Sequence, residues 1–292
     1  MSSIGILLLR LLLTVFALLP FRLLYLLSNV IRFVLSNVVR YRYAVIKSNL
    51  QKAFPEKTPP EIASLVQAFY KHFTDVLLES LKGPGMSAPE LRSRFVYVNP
   101  EIFDPLYEAG QSALLLGSHY GNWEWGVLSF PLAVRHKVIG IYKPMKNKKI
   151  DACFNRLRRR WGLHLASMSG AGRAVVENRG SPCIFVLIAD QTPSDVKNAH
   201  WLTFLHQDTP FLHGPDKLAR QTGYPVFIYK IKRTARGYYE VTFEELCSDP
   251  KMAVSGEITQ RFSEILENCI RENPVDWLWS HRRWKRKRAP TS

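Results

Sequence analysis

His119 and Glu124 stand five positions apart in Gly117-Ser118-His119-Tyr120-Gly121-Asn122-Trp123-Glu124. An imidazole with a carboxylate beside it is the minimum set for taking a proton from an alcohol. The spacing limits how the two can meet. Five residues along one helix turn through ~500°, which leaves the side chains about 140° apart. They converge only if His119 lies in a loop and Glu124 on the helix after it. Gly117 and Gly121 allow such a turn. Asn122 suits the cap of a helix holding Trp123, Glu124, Trp125 and Val127. Glu124 would then accept a bond from one imidazole nitrogen and leave the other free as base. The spacing alone is also met by a His and a Glu that both face solvent. A serine nucleophile fits less well. Gly117-Ser118-His119-Tyr120-Gly121 has the outline of a nucleophile elbow, but His sits at the centre where that motif places Ser.

The elements that must position these residues can be read from the hydrophobic pattern. Ala113 to Leu116 is an apolar run closed by Gly117, which reads as a buried strand ending in a tight turn. His119 then falls at the carboxyl end of a strand, where open α/β sheets place their ligands. Lys137 to Tyr142 reads as a second strand. Cys183 to Ile188 reads as a third, and it delivers Asp190 to the same edge; a turn-forming Asp before Gln191-Thr192-Pro193 is the alternative. Pro225 to Lys232 and Tyr238 to Phe243 read as strands joined across Arg236-Gly237. Helical periodicity covers Pro60 to Gly83, Lys149 to Trp161, Asp216 to Thr222 and Ile258 to Arg271. This alternation predicts an α/β fold, a mixed sheet flanked by helices.

Several blocks, in order, resemble one family. They are Asn49-Leu50-Gln51-Lys52-Ala53-Phe54-Pro55-Glu56, then His119 to Glu124, then Tyr142-Lys143-Pro144-Met145-Lys146-Asn147 with Arg156, Arg158 and Arg159. Ala189-Asp190-Gln191 and Trp277 to Lys285 complete the set. Together they resemble the lipid A biosynthesis (lauroyl/myristoyl) acyltransferases, within the wider lysophospholipid/glycerolipid acyltransferase superfamily. The resemblance implies an acyltransferase that moves a fatty acyl chain from acyl carrier protein, or another thioester, to a hydroxyl of a lipid A precursor. It implies His119 and Glu124 as the catalytic pair. It implies Asn122, Lys143, Arg156, Arg159, Asp190 and Gln191 as substrate-binding residues, and no cofactor. Residues 190–216, with Thr192-Pro193-Ser194 and His200-Trp201, depart from the enterobacterial pattern. That leaves room for another lysolipid or an aminolipid as acceptor. A non-catalytic binder of anionic lipid and a thioesterase using the same His and Glu are the readings from other classes.

Composition agrees with anionic partners. The 292 residues carry 40 Lys and Arg against 24 Asp and Glu, a formal charge of +16. Such an excess suits phosphates, lipid head groups or acidic proteins. On a helix from Lys149, Arg156, Arg159 and Arg160 share one side and Phe154, Leu157 and Trp161 another. Arginine forks suit phosphate oxygens, while the same pattern also describes a solvated face. The tail from Trp277 to Arg288 mixes tryptophans with basic residues, as at a membrane interface, although Trp277 and Trp279 also alternate like a strand with one buried face. Nothing in the chain supplies a nucleic-acid fold motif. Cys153, Cys183, Cys247 and Cys269 have no paired-ligand spacing, so neither a disulfide framework nor a metal site is expected.

The first forty residues differ from the rest. Ile4 to Leu19 is apolar except for Arg10, and Leu23 to Leu35 continues after Pro20-Phe21-Arg22. Neither half reaches the ~20 residues of an uninterrupted span. A helix across the proline would span with its arginines snorkelling; otherwise the segment lies in the interface. A cleaved signal peptide is disfavoured by the lack of preceding charge and of a cleavage site. Arg32, Arg40, Arg42 and Lys47 follow the apolar region, which puts the main domain in the cytoplasm by the positive-inside rule. The expected organisation is a membrane-anchoring helix over 1–40 and a catalytic domain over 41–292, held at the cell inner membrane.

Overall fold

The computed structural model describes residues 3–288. The side chains of residues 3, 4 and 6–10 lie outside that description, and the expected snorkelling of Arg10 falls there.

The chain opens with α1 (Ser3–Leu18) and α2 (Phe21–Phe33), broken at Pro20, and α2 runs on into a π-helical turn over Val34–Val38. Phe21–Val38 has the length and apolarity to cross a membrane, with a mean hydropathy of 1.3 over its 18 residues. Helices α3 (Tyr43–Ala53) and α4 (Pro59–Lys82) follow. The start of α4 is fixed by a capping box. Glu61 accepts from the Thr58 backbone N–H at 2.7 Å, and Pro59 supplies the first helical residue. Both N-terminal helices pack on α4. Lys82 on its last turn donates to the carbonyls of Ala17 and Leu19 and so satisfies the end of α1.

Next come α5 (Ala88–Arg94), β1 (Phe95–Tyr97), α6 (Asp104–Glu108), β2 (Ala113–Gly117), α7 (Trp123–Ser129), β3 (Lys137–Tyr142), α8 (Lys148–Arg158) and β4 (His164–Ser167). The second half holds α9 (Ala171–Glu177), β5 (Cys183–Ile188), β6 (His200–Phe204), β7 (Gln207–Phe211), α10 (Gly214–Thr222), β8 (Val226–Ala235), β9 (Tyr238–Cys247) and α11 (Glu257–Glu272). Seven of the described strands form one sheet in the order β1-β9-β8-β2-β5-β3-β4. Only the β8–β9 pair is antiparallel, so the sheet is mixed but mostly parallel. Every residue of β2 is buried, as is nearly all of β5. Each fully buried Leu, Ile or Val there contributes ~1.5–3 kcal/mol. Continuous apolar runs, rather than alternating ones, are what a parallel sheet covered by helices requires.

The strands and helices expected after residue 59 are present close to their read bounds, whereas the single helix expected across Pro20 is two, α1 and α2, because proline cannot continue the first. Absent from the sequence reading were α3, α5, α6, α9, β1, β4 and the β6–β7 hairpin. The hairpin turns through Leu205 and His206, both with positive φ (50° and 62°). Two-residue turns of this hand normally carry Asn or Gly, so the usual signal was missing. In the tail, the buried-face alternative holds. Trp277 and Trp279 are buried in the main core rather than set at a membrane surface. Their rings stand edge to face at 4.8 Å.

Candidate active site

Strands β2 and β5 are parallel neighbours, with Gly117 opposite Ile188. Two residues beyond each partner lie His119 and Asp190. The register therefore delivers the imidazole and the carboxylate to the same point at the carboxyl edge of the sheet. Their contact is close: His119 Nδ1 to Asp190 Oδ1 is 2.7 Å. The other oxygen, Oδ2, accepts from the His119 backbone N–H at 3.0 Å and from Trp277 Nε1 at 2.9 Å. Because a carboxylate only accepts, Nδ1 carries the proton and Nε2 holds the lone pair. The Gln191 side-chain amide lies 3.1 Å from Nε2 and donates to it.

The turn that carries His119 is held at several points. Gly121 adopts φ +59°, and a Cβ there would stand 2.6 Å from Ile231, so the turn needs glycine. The His119 carbonyl accepts from Leu278 N (3.1 Å), and Gly121 N donates to the Asp276 carbonyl (2.9 Å). Trp123 braces the imidazole edge to face at 5.2 Å. Asn122 caps α7, accepting from Trp125 N at 3.0 Å.

Burial works against a charged His119, but the Asp190 carboxylate, by charge and hydrogen bond, outweighs it and holds the imidazole pKa above its ordinary value. Burial also opposes the Asp190 charge. The neighbouring imidazole and the bonds from His119 and Trp277 outweigh it, and the carboxyl lies below its ordinary range.

Glu124 is not the acid bonded to His119. It sits in the first turn of α7 and takes a bidentate grip from Arg158, with Nη2 2.7 Å from Oε1 and 3.0 Å from Oε2. A planar guanidinium satisfies both carboxylate oxygens at once, so Glu124 turns to α8 rather than to the imidazole. Its influence on His119 is through charge alone. The helix reading was right about where each residue lies, with His119 in the loop and Glu124 on the helix. The partner was misassigned because β5 supplies a better placed carboxylate.

A cavity of about 520 Å³, a size typical of ligand sites, is lined by Trp123 and Gln191, both in contact with His119, although neither His119 nor Asp190 itself lines it. Its apolar wall comes from Leu13 of α1, Val76, Leu77 and Leu81 of α4, Leu128 of α7, and Phe154 and Leu157 of α8. Glu124, Arg158, Gln191, Arg42 and His281 supply its polar groups. His281 Nε2 lies 3.3 Å from the Thr192 N–H, which donates to it, and burial pushes its pKa down to about 4. It is a neutral acceptor there.

The remaining expected residues are spread differently. Gln191 and Asp190 are in the site. Asn122 is fully buried, its amide given to Glu79 and its oxygen to the α7 cap, so its side chain has no face toward a substrate. Arg156 and Arg159 are exposed. Arg158, between them, is the arginine of α8 that lines the cavity. Lys143 is exposed and donates to Ser194 Oγ at 3.0 Å. Sequence periodicity grouped Arg156 with Arg159 and Arg160 and so passed over Arg158. It also passed over Arg42, whose left-handed backbone (φ 53°) marks the joint between the N-terminal helices and the rest. No cluster of ligands suited to a metal ion is present among the described residues.

Neighbouring parallel strands that present a histidine–carboxylate pair beside an apolar cavity define a site able to activate a hydroxyl next to a lipid-like chain. The family model described as bacterial lipid A biosynthesis acyltransferase matches residues 2–286, and the chain belongs to that family. It is 25% identical over 255 residues to the lipid A biosynthesis lauroyltransferase of Escherichia coli (strain K12), covering 85% of this chain and 80% of that protein. The chain is thus an enzyme that transfers acyl groups in lipid A biosynthesis.

Proposed function

We propose that the enzyme moves a fatty acyl group from an acyl carrier protein thioester to a hydroxyl of a phosphorylated lipid A precursor. The observation that carries this reading is the 2.7 Å contact between His119 Nδ1 and Asp190 beside the apolar cavity. Asp190 fixes the tautomer, so Nε2 is the base. The acceptor hydroxyl takes the place now held by the Gln191 amide. His119 Nε2 removes its proton while the oxygen attacks the thioester carbonyl. The tetrahedral intermediate collapses, the C–S bond breaks, and the imidazolium returns the proton to the leaving thiolate. Asp190 stabilises the imidazolium in between.

The developing oxyanion needs donors. The Gly121 amide, at the turn into α7, is already given to Asp276. Arg158 on the cavity wall, aimed by Glu124, is the charged donor we assign to this role. The acyl chain lies among Leu13, Val76, Leu81, Leu128 and Leu157. Arg42 and the basic surface of α8, including Arg156 and Arg159, face the phosphorylated head group. Residues 1–40 anchor the enzyme to the inner membrane, and residues 41–292 form the catalytic domain on its cytoplasmic face.

The test is transfer from acyl carrier protein thioester to tetra-acylated precursor, with the ester product read by mass spectrometry. His119→Ala should lower the rate by about 10²–10⁴. Undiminished transfer by the purified variant contradicts the base assignment. Hydrolysis that ignores the precursor indicates a thioesterase, and inertness of the wild-type protein indicates a lipid binder.

A further inference from the structure

Glu79 lies on α4, outside the cavity, and its side chain is fully buried. Its carboxylate is held by three neutral donors. Oε1 accepts from Tyr25 OH at 2.8 Å. Oε2 accepts from Tyr239 OH at 2.6 Å and from Asn122 Nδ2 at 2.8 Å. The Glu79 carbonyl also accepts from Trp125 Nε1 at 2.8 Å. A buried carboxylate without a bonded cation is costly to keep, so what it holds in place matters. Two of these contacts fall on Asn122 and Trp125, the cap and first turn of α7. Asn122 is three residues beyond His119 and directly follows Gly121.

We infer that Glu79 is a positioning residue for acyl transfer: it holds Asn122, and through Asn122 the turn that aims His119 at the acceptor hydroxyl. This rests on His119 being the base. The logic is mechanical. The amino-terminal side of the turn is fixed by Asp190, which binds the His119 backbone and ring. The carboxyl-terminal side is fixed through the Asn122 side chain, which links α7 to α4. Without that link the turn keeps Asp190 and its backbone bonds to Leu278 and Asp276 but loses the side-chain clamp to Glu79. The same carboxylate binds Tyr25 of α2, so the membrane-facing helix and the catalytic turn share one acceptor.

The test compares Glu79→Met, which keeps the side-chain length but has no oxygen to accept from Asn122, Asn122→Ser and the double variant with wild type and His119→Ala in the full-length enzyme. Serine still caps a helix but does not reach Glu79. Each single variant should lose about 10- to 100-fold in kcat, as expected for a displaced catalytic group, with KM within about twofold. The double variant should lose no more than the weaker single, because both cut one link. A generally loosened fold would instead lower the active fraction and multiply the losses. Wild-type kcat in Asn122→Ser overturns the inference, even if Glu79→Met fails to fold, and so do multiplicative losses in the double variant. Full turnover by His119→Ala is a different result: it removes the base assignment itself.

Discussion

Asp190 and Glu124 are both carboxylates near one imidazole, and only geometry separates their roles. Asp190 is bonded to the ring and is 2% exposed, where a charge interacts strongly. Glu124 is about a third exposed and shared with Arg158 (side chains 32% and 25% exposed), so solvent weakens what it does. Glu124→Gln should therefore leave the acid limb of the pH–rate profile close to wild type and cost under ~1 kcal/mol of stability. The rate should fall about tenfold, as Arg158 loses the group that aims it, which corresponds to ~1.4 kcal/mol of barrier. A limb moved as far as in an Asp190 variant would restore Glu124 as the orienting acid. The sequence showed His119 and its loop plainly, because an apolar run, two glycines and a capping Asn all agree on a turn. It showed Asp190 at a strand end as well. What it did not show is that β2 and β5 lie side by side with Gly117 opposite Ile188, since strand adjacency has no local signature.

At the scale of elements, α4 connects most of the parts. It receives α1 and α2 on one side and touches the catalytic turn through Glu79. Its Asp75 is fully buried and accepts from Ser28 of α2 at 2.6 Å, and from Arg233 and Arg236 of β8 and its turn at 2.7 and 2.6 Å. Burial raises the cost of that charge, but the bonds from Arg236, Ser28 and Arg233 outweigh it, so the carboxyl pKa is held below 3.8. A depressed folded pKa gives stability that is present above the unfolded value and lost as pH falls through the folded one. Asp75→Ala should lose ~1–3 kcal/mol at neutral pH, because two half-buried guanidiniums lose their fully buried partner. The gap between wild type and variant should close as pH drops below about 4. Thermal unfolding at several pH values reads both, and a gap that stays constant into acid would deny Asp75 this role. Helix α4 was legible from its apolar face, but Asp75 and Glu79 were not. Their partners come from α2, β8, β9 and the catalytic turn, elements far apart in sequence.

The whole molecule presents an apolar N-terminal pair of helices on a strongly basic body. Leu11, Leu12, Val15 and Leu18 of α1, and Leu23, Leu26, Val30 and Phe33 of α2, are exposed. An apolar surface of that extent marks an interaction site, and the formal charge of +16 favours an anionic leaflet. Leu13 of α1 lines the cavity, so the apolar N-terminal pair also helps to build the wall of the proposed acyl site. The charge excess and the apolar start were plain in the sequence. The shared wall was not, because it depends on α1 folding back over α4. For the C-terminal tryptophans the sequence left a membrane surface and a buried face both open, and the buried face holds: Trp277 is packed against Asp190 and donates to it.

The central claim is that Asp190 orients His119 and raises its pKa. The most direct measurement is the pH dependence of kcat/KM for Asp190→Asn beside wild type, with acyl carrier protein thioester as donor. Loss of the carboxylate removes the charge that favours the imidazolium, so the acid limb should move to lower pH while the plateau falls about 10²–10⁴. A wild-type plateau with an unmoved limb would contradict the account.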